Sequence, residues 1–301
     1  DDEDPLPSMF PPLNSYLDIA DKALTRYVQC LSLGLIEFPL SIIGSWFGIP
    51  LTSMALVPLL IVSMMGVVGE DEVIGDWVTA FGCAFLLLCL TTWFYLLSTE
   101  KQHLFYGVSK TKLFISILAV QLSCHYNSAR SSAVASRYLC SYFMTQLWVL
   151  WLKFVCRRMR PAHAMTEELK SHKRRLPKMT FLGTKGYTVF ESFPSGDAAG
   201  GMVASLALID AIPGVGYWGY ALAVGASFGR MYFFAHHVLD VSVGCGIACV
   251  CTEALKTVGR AHDFEYGIWH AVAGMVLFIL GYKQLCKMRR PLPRQFISRG
   301  G

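Results

Sequence analysis

Three separate stretches of the chain carry side chains that could bind and attack a phosphoryl group. In the first, KFVCRRMRP, Lys153 and Arg160 stand seven positions apart, which corresponds to two turns of helix. On one helix both cations would project from the same side and could hold the same anion. Arg160 would offer a planar fork and Lys153 a point charge, while Pro161 would stop the helix. Taken alone, the cluster could equally contact lipid headgroups beside a membrane.

The second stretch, FPSGDAAGG, is typical of a helix start. Ser195 can cap a helix that begins at Gly196, where unpaired amides and the positive end of the helix dipole would face an anion. A glycine at this point also lets the backbone approach a phosphate closely. The alternative is a capped helix with no ligand and with an acid, Asp197, in its first turn.

The third stretch, GRMYFFAHHVLD, combines Arg230 with His236 and Asp240, which are four positions apart. On a helix the carboxylate could orient the imidazole and favour its charged form. Such groups are costly at membrane depth and usually mark a site. A purely structural His and Asp pair is the alternative. A metal centre that also used His237 would lack further ligands, so we expect neither a metal nor a cofactor.

The composition indicates that a membrane surrounds much of this chain. Apolar residues make up 54% of the 301 positions, charged residues only 16%, and the mean hydropathy is +0.45. Apolar stretches long enough to cross a bilayer, about 20 residues of helix, recur along the sequence and exclude a single anchor on a soluble enzyme. We therefore expect a multi-pass protein whose partners are the lipid bilayer and a lipid substrate, with no nucleic acid.

Apolar runs predict seven helices, and Trp148 and Trp151 are expected at a membrane interface. The predicted helices span 76–98, 112–126, 134–153, 196–211, 214–230, 237–257 and 266–286. The expected fold is an all-α integral membrane bundle with a six-helix core, an N-terminal apolar hairpin and one added C-terminal transmembrane helix. The corresponding divisions are a polar, acidic segment at 1–30, the hairpin at 31–68, the core at 76–257 and the C-terminal helix and tail at 258–301.

Most of the 26 Lys and Arg residues fall on the side of the bundle that carries the three stretches, including the long polar loop 162–193. The positive-inside rule therefore places that face in the cytosol. We expect a location in the endoplasmic reticulum or another endomembrane.

Taken together, the three stretches resemble the superfamily that unites type 2 phosphatidic acid phosphatases with vanadium haloperoxidases. Its signature is KxxxxxxRP, then PSGH, then SRxxxxxHxxxD. The positions that match are Lys153, Arg160, Pro161, Pro194, Ser195, Gly196, Arg230, His236 and Asp240. Two positions differ, because Gly229 replaces the serine before the arginine and Asp197 stands where the family has histidine. A haloperoxidase is disfavoured, since those enzymes are typically soluble.

The resemblance implies that His236 attacks phosphorus and forms a phosphohistidine, which water then hydrolyses. Asp240 would hold the other ring nitrogen, and His237 would face away from the site. The charge on the equatorial oxygens would be neutralised by a group of phosphate-binding residues. These are Lys153, Arg160, Ser195, Gly196 and Arg230.

Asp197 alters what the resemblance implies for the substrate. The family histidine donates a proton to the leaving oxygen, whereas an aspartate among cations would be ionised and unable to donate. It would also repel a phosphate unless it paired with an arginine. A lipid diphosphate, such as a polyprenyl diphosphate, expels a phosphate monoester that is stable as an anion, and it is therefore the favoured substrate. The alternatives are a catalytically impaired protein that binds or scaffolds anionic lipid, and a lipid phosphotransferase.

Overall fold

In the computed structural model, every regular element within the described residues is helical. The described residues are 15–37, 40, 43–44, 53–54, 57–68, 129–163, 191–212, 214–262 and 266–288. The helices are α1 (Ser15–Cys30), α2 (Val57–Val68), α3 (Ala129–Cys156), α4 (Gly196–Ala211), α5 (Ala221–Tyr232), α6 (Val238–His262) and α7 (Ile268–Met288). Short 3-10 turns cover Gly34–Ile36, Pro161–His163 and Gly216–Tyr220.

Five predicted helices fall within these ranges, and each overlaps a helix of the structure. The helix expected at 196–211 agrees at both ends with α4. The helix expected at 214–230 is instead a 3-10 turn followed by α5. The two predicted at 76–98 and 112–126 lie outside the described residues, as does most of the predicted hairpin, so the six-helix core stays a prediction.

Two helices, α3 and α6, contain stretches long and apolar enough to cross a membrane. These stretches are Ser132–Cys156 and Val238–Ala261, the ones that meet the length and hydropathy criteria in the described part of the chain. A third element, α1, occupies a segment that the sequence analysis treated only as polar and acidic.

Helix α4 lies at the centre of the bundle and packs against α3, α5 and α6. Its buried face consists largely of small residues, among them Ala198, Ala199 and Ala204. At Gly201 an added Cβ would stand only 2.8 Å from the Cβ of Ala226 on α5. Small side chains of this kind allow the backbones of neighbouring helices to approach closely.

The end of α3 and the starts of α4 and α6 meet at one end of this bundle. The Ser192 amide donates to the carbonyl of Arg158, and the Ser195 amide donates to the carbonyl of Asp240, each at 2.9 Å. These bonds bring together the three stretches that the sequence analysis selected.

Candidate active site

Lys153 and Arg160 converge, but not as two residues on one helix face. Helix α3 ends at Cys156, and Arg157 adopts a positive φ of 43°, so Arg160 follows a turn. Lys153 Nζ donates to the Glu191 carbonyl at 2.7 Å, and Arg160 Nη2 donates to the same oxygen at 3.3 Å. The turn brings the two cations to one carbonyl, whereas the prediction of a shared helical face was wrong.

Ser195 caps α4 as its sequence predicts. The buried hydroxyl oxygen accepts a hydrogen bond from the Ala198 amide at 3.4 Å. The carbonyl of Gly196 accepts from Gln146 Nε2 of α3 at 2.9 Å, which ties the start of α4 to α3. An added Cβ at Gly196 would stand 3.1 Å from Gln146 Oε1, so the space beside this turn suits glycine.

His236 is buried in the turn between α5 and α6, two residues before α6 begins at Val238. Its Nδ1 lies 2.6 Å from the Ser192 carbonyl oxygen, which can only accept, so Nδ1 carries the proton. Asp240 Oδ2 lies 3.7 Å from the same nitrogen. The Nε2 atom faces Arg230 Nη2 at 3.4 Å. The imidazole is therefore held in the tautomer that keeps a lone pair on Nε2.

The environment favours a neutral imidazole at His236. Burial lowers the pKa of His236 well below its ordinary value, and the nearby cations Arg160, Arg230 and Lys153 act in the same direction. Asp240 opposes them without reversing the direction. A neutral imidazole with Nδ1 protonated is the form that can attack an electrophile through Nε2.

Asp240 is fully buried and is surrounded by donors. Its Oδ2 accepts from the hydroxyl of Ser192 and from the His237 amide at 2.8 Å, and His237 Nδ1 lies 3.3 Å away. Its Oδ1 accepts from Arg158 Nη1 at 2.7 Å. His237 therefore contacts the site, and the expectation that it faces away was wrong. That expectation assumed helical geometry, whereas α6 begins only at Val238.

Arg158 is a site residue that the sequence analysis missed. Besides Asp240, it forms ion pairs with Asp21 and, at 3.4 Å, with Asp18 of α1. Burial acts to lower the pKa of Arg158, but Asp240 and Asp21 outweigh burial and hold that pKa above its ordinary value. The available signal was the repeated arginine in CRRMRP, which does not reveal which arginine faces Asp240.

Arg230 is almost fully buried and contacts groups on three sides. Its Nε lies 3.2 Å from Asp197 Oδ2, its Nη1 donates to the Gly44 carbonyl at 3.5 Å, and its Nη2 faces His236. Asp197 thus forms the ion pair that would limit its repulsion of a phosphate. The other carboxylate oxygen, Asp197 Oδ1, is buried and makes no hydrogen bond within the described residues.

The glycine that replaces the family serine, Gly229, lies in close backbone contact with the N-terminal part of the chain. An added Cβ would stand 2.9 Å from both the Leu40 carbonyl oxygen and Gly44 Cα. Real Cβ atoms essentially never approach other atoms so closely. The close approach of Leu40 and Gly44 to α5 therefore explains why a serine does not fit at this position.

The described ranges contain no group of three or more His, Cys, Asp or Glu side chains arranged to hold a metal ion.

Residues 135–262 match the family model described as the PAP2 superfamily. The match runs from the first turns of α3 to the end of α6 and includes all three stretches of the site. This match supports membership of the PAP2 superfamily, whose members are generally phosphatases. Searches of curated proteins and of solved structures gave no match.

Proposed function

We propose that the protein is a membrane lipid phosphatase that acts through a phosphohistidine on His236. The observation that carries the proposal is the orientation of this imidazole. Nδ1 donates to the Ser192 carbonyl at 2.6 Å, and Nε2 faces a buried guanidinium. A neutral nucleophile beside a cation is the arrangement that attack on a phosphoryl group requires.

In the first step, the Nε2 lone pair attacks phosphorus while the bond from phosphorus to the leaving oxygen breaks. Arg230 lies beside Nε2 and would transfer its interaction to a phosphoryl oxygen, together with Lys153 and Arg160. The attack leaves a positive charge on the imidazole. Asp240, 3.7 Å from Nδ1, stabilises that charge.

In the second step, water attacks phosphorus, the bond from phosphorus to Nε2 breaks, and inorganic phosphate leaves. A base must accept a proton from this water. Asp197 Oδ1 is buried without a hydrogen-bond partner in the described ranges, and its partner oxygen already pairs with Arg230. An ionised aspartate suits this role as a base, although it cannot serve as the acid in the first step.

The absence of an acid at residue 197 favours a substrate whose leaving group needs little protonation. Loss of general acid catalysis costs roughly 100-fold to 10,000-fold where the leaving oxygen is an alkoxide. A lipid diphosphate expels a lipid phosphate monoester as an anion and avoids most of this loss. We therefore propose a polyprenyl or other lipid diphosphate as the preferred substrate, ahead of phosphatidic acid.

The test is phosphate release by the purified protein in detergent micelles, with a polyprenyl diphosphate and phosphatidic acid compared at equal surface concentration. His236→Ala should abolish release, while His270→Ala, at an exposed histidine of α7, should leave it unchanged. Faster turnover of phosphatidic acid would refute the proposed preference. Release that survives His236→Ala would refute the proposed nucleophile.

The same preparation separates the two alternative activities. If neither substrate is hydrolysed and Asp197→His gives large activity, the protein is an impaired member that binds anionic lipid. If added lipid alcohols capture the phosphoryl group in place of water, it is a phosphotransferase.

A further inference from the structure

Helix α1 has an unusual distribution of side chains, because it buries a polar stripe and exposes an apolar face. The stripe consists of Asp21, Thr25 and Gln29, four positions apart and therefore on one side of the helix. Asp21 is only 6% exposed. The opposite face carries Leu24 at 58% and Tyr27 at 71% exposure, together with Tyr16, Leu17 and Ile19.

The polar stripe binds backbone groups at the start of α6 and the end of α5. The Leu239 amide donates to Asp21 Oδ1 at 2.7 Å, and the Val238 amide donates to Thr25 Oγ1 at 3.1 Å. Gln29 Nε2 donates to the Met231 carbonyl at 3.5 Å. Free amides at a helix start need such acceptors, so α1 caps the first two amides of α6, while Asp240 accepts from the amide of His237.

The position of α1 along the bundle follows from these contacts. It lies across the first residue of one candidate membrane span, Val238, and joins Arg158 just beyond the last residue of the other, Cys156. Trp148 and Trp151 are about half exposed near that end of α3, a usual place for tryptophan at a membrane interface. These contacts place α1 at the boundary between the hydrocarbon core and water.

The charges on α1 fit the same position. Lys22 and Arg26 are exposed and, at 100° per residue, lie between the buried polar stripe and the apolar face. An amphipathic helix that lies in a bilayer typically carries cations beside its apolar face, where they reach lipid phosphates. Lys22 also pairs with Asp18 at 2.5 Å, which leaves Arg26 as the more available of the two.

We propose that α1 is an interfacial helix whose apolar face contacts phospholipid at the boundary between headgroups and acyl chains. Its polar stripe holds it against the catalytic end of the bundle. The proposal concerns contact with lipid and does not depend on catalysis. The position of α1 also bears on the site, because Asp21 of this helix pairs with Arg158, and Arg158 pairs with the carboxylate of Asp240.

The experiment is photolabelling of the full chain reconstituted into phosphatidylcholine vesicles. One vesicle set contains phosphatidylcholine with a diazirine near the glycerol end of an acyl chain, and a second set carries the diazirine near the terminal methyl group. Peptide mapping then locates the adducts. We expect the shallow probe to label residues 15–30 several-fold more than the deep probe does, at Leu17, Leu24 and Tyr27.

Val250 of α6, which is 71% exposed in the middle of a candidate span, provides the internal standard for the deep probe. Labelled Val250 with no adducts in residues 15–30 would overturn the proposal. Stronger labelling of α1 by the deep probe would also overturn it. Cross-linking of α1 to α1 between two chains, in place of lipid adducts, would assign the apolar face to a second copy and overturn the proposal as well. None of these results bears on whether His236 is the nucleophile.

Discussion

Arg158 joins the buried carboxylate of Asp240 to helix α1, and replacing it by glutamine tests how the site is held together. The substitution keeps a polar but shorter side chain, and it removes the charge and the two-pronged contact to Asp240 and Asp21. Asp240 would be left as a buried anion that faces the Ser192 hydroxyl, the His237 groups and the imidazole of His236.

The expected loss in the free energy of unfolding follows from the burial of the two partners. Breaking a buried ion pair by removing one partner costs about 3 to 5 kcal/mol. Arg158 is 19% exposed and Asp240 keeps its other donors, so we expect the lower end of that range, about 3 kcal/mol. The contact with Asp18, which is one-third exposed, should add little, on the order of 0 to 1 kcal/mol.

The assay is thermal unfolding of the purified protein in detergent, where this loss corresponds to a decrease in Tm of roughly 6 °C or more. The matched control is Arg157→Gln, because the neighbouring arginine is exposed and its guanidinium lies over the ring of Phe154, 5.8 Å from the ring centroid. Arg158→Lys should recover part of the loss, since it restores the charge without the fork.

A second readout separates positioning from simple destabilisation. Arg158 competes with the imidazole of His236 for the negative charge of Asp240. Its removal should therefore strengthen the attraction of Asp240 for protonated His236, raise the pKa of His236, and move the acid limb of kcat/KM to higher pH. Equal melting of Arg158→Gln and Arg157→Gln, with unchanged pH profiles, would refute this account of the site.

Three further outcomes are expected. Gly229→Ser should lower the free energy of unfolding by about 1 to 3 kcal/mol, because its Cβ would clash with the backbone of Leu40 and Gly44, whereas Gly246→Ser, with open space at its Cβ, should melt normally. Asp197→Asn should slow phosphoenzyme breakdown roughly 100-fold or more, so the amount of phosphohistidine measured by quench-flow should rise. An unchanged amount would exclude Asp197 as the base. Unfolded His236 binds a proton below about pH 6.5 while the folded form stays neutral, so the free energy of unfolding should fall as the pH is lowered below that value, by up to about 1.4 kcal/mol per pH unit. His236→Gln should flatten that slope in thermal melts.

Features that depend on neighbouring residues in the chain could be predicted from the sequence. The start of α4 is one example, because a serine followed by glycine and an apolar run is sufficient to define a capped helix. The choice of His236, Asp240, Arg160 and Arg230 rested on residue type, spacing and the resemblance to the family signature, and these side chains do lie at one end of the bundle.

Features that depend on distant parts of the chain could not be predicted in this way. The contact between Arg158 and Asp21 joins residues 137 positions apart, and no periodicity in either segment signals it. The sequence showed that the α1 segment is polar, but it did not show what the polar side chains face. A stripe of acids and amides normally faces water, whereas here it faces the start of another helix. His237 was misplaced for a related reason, since helical geometry was assumed across a turn.

The two departures from the family pattern both act on Arg230. Gly229 allows Leu40 and Gly44 to approach α5, so that the Gly44 carbonyl accepts from Nη1, and Asp197 pairs with Nε. Together they fix the guanidinium and leave Nη2 directed at His236. Lys153, Arg160 and Arg230 supply three positive charges, and Asp197 removes one. Arg158 pairs with Asp240 in the same way, so each of these two buried carboxylates is matched by an arginine.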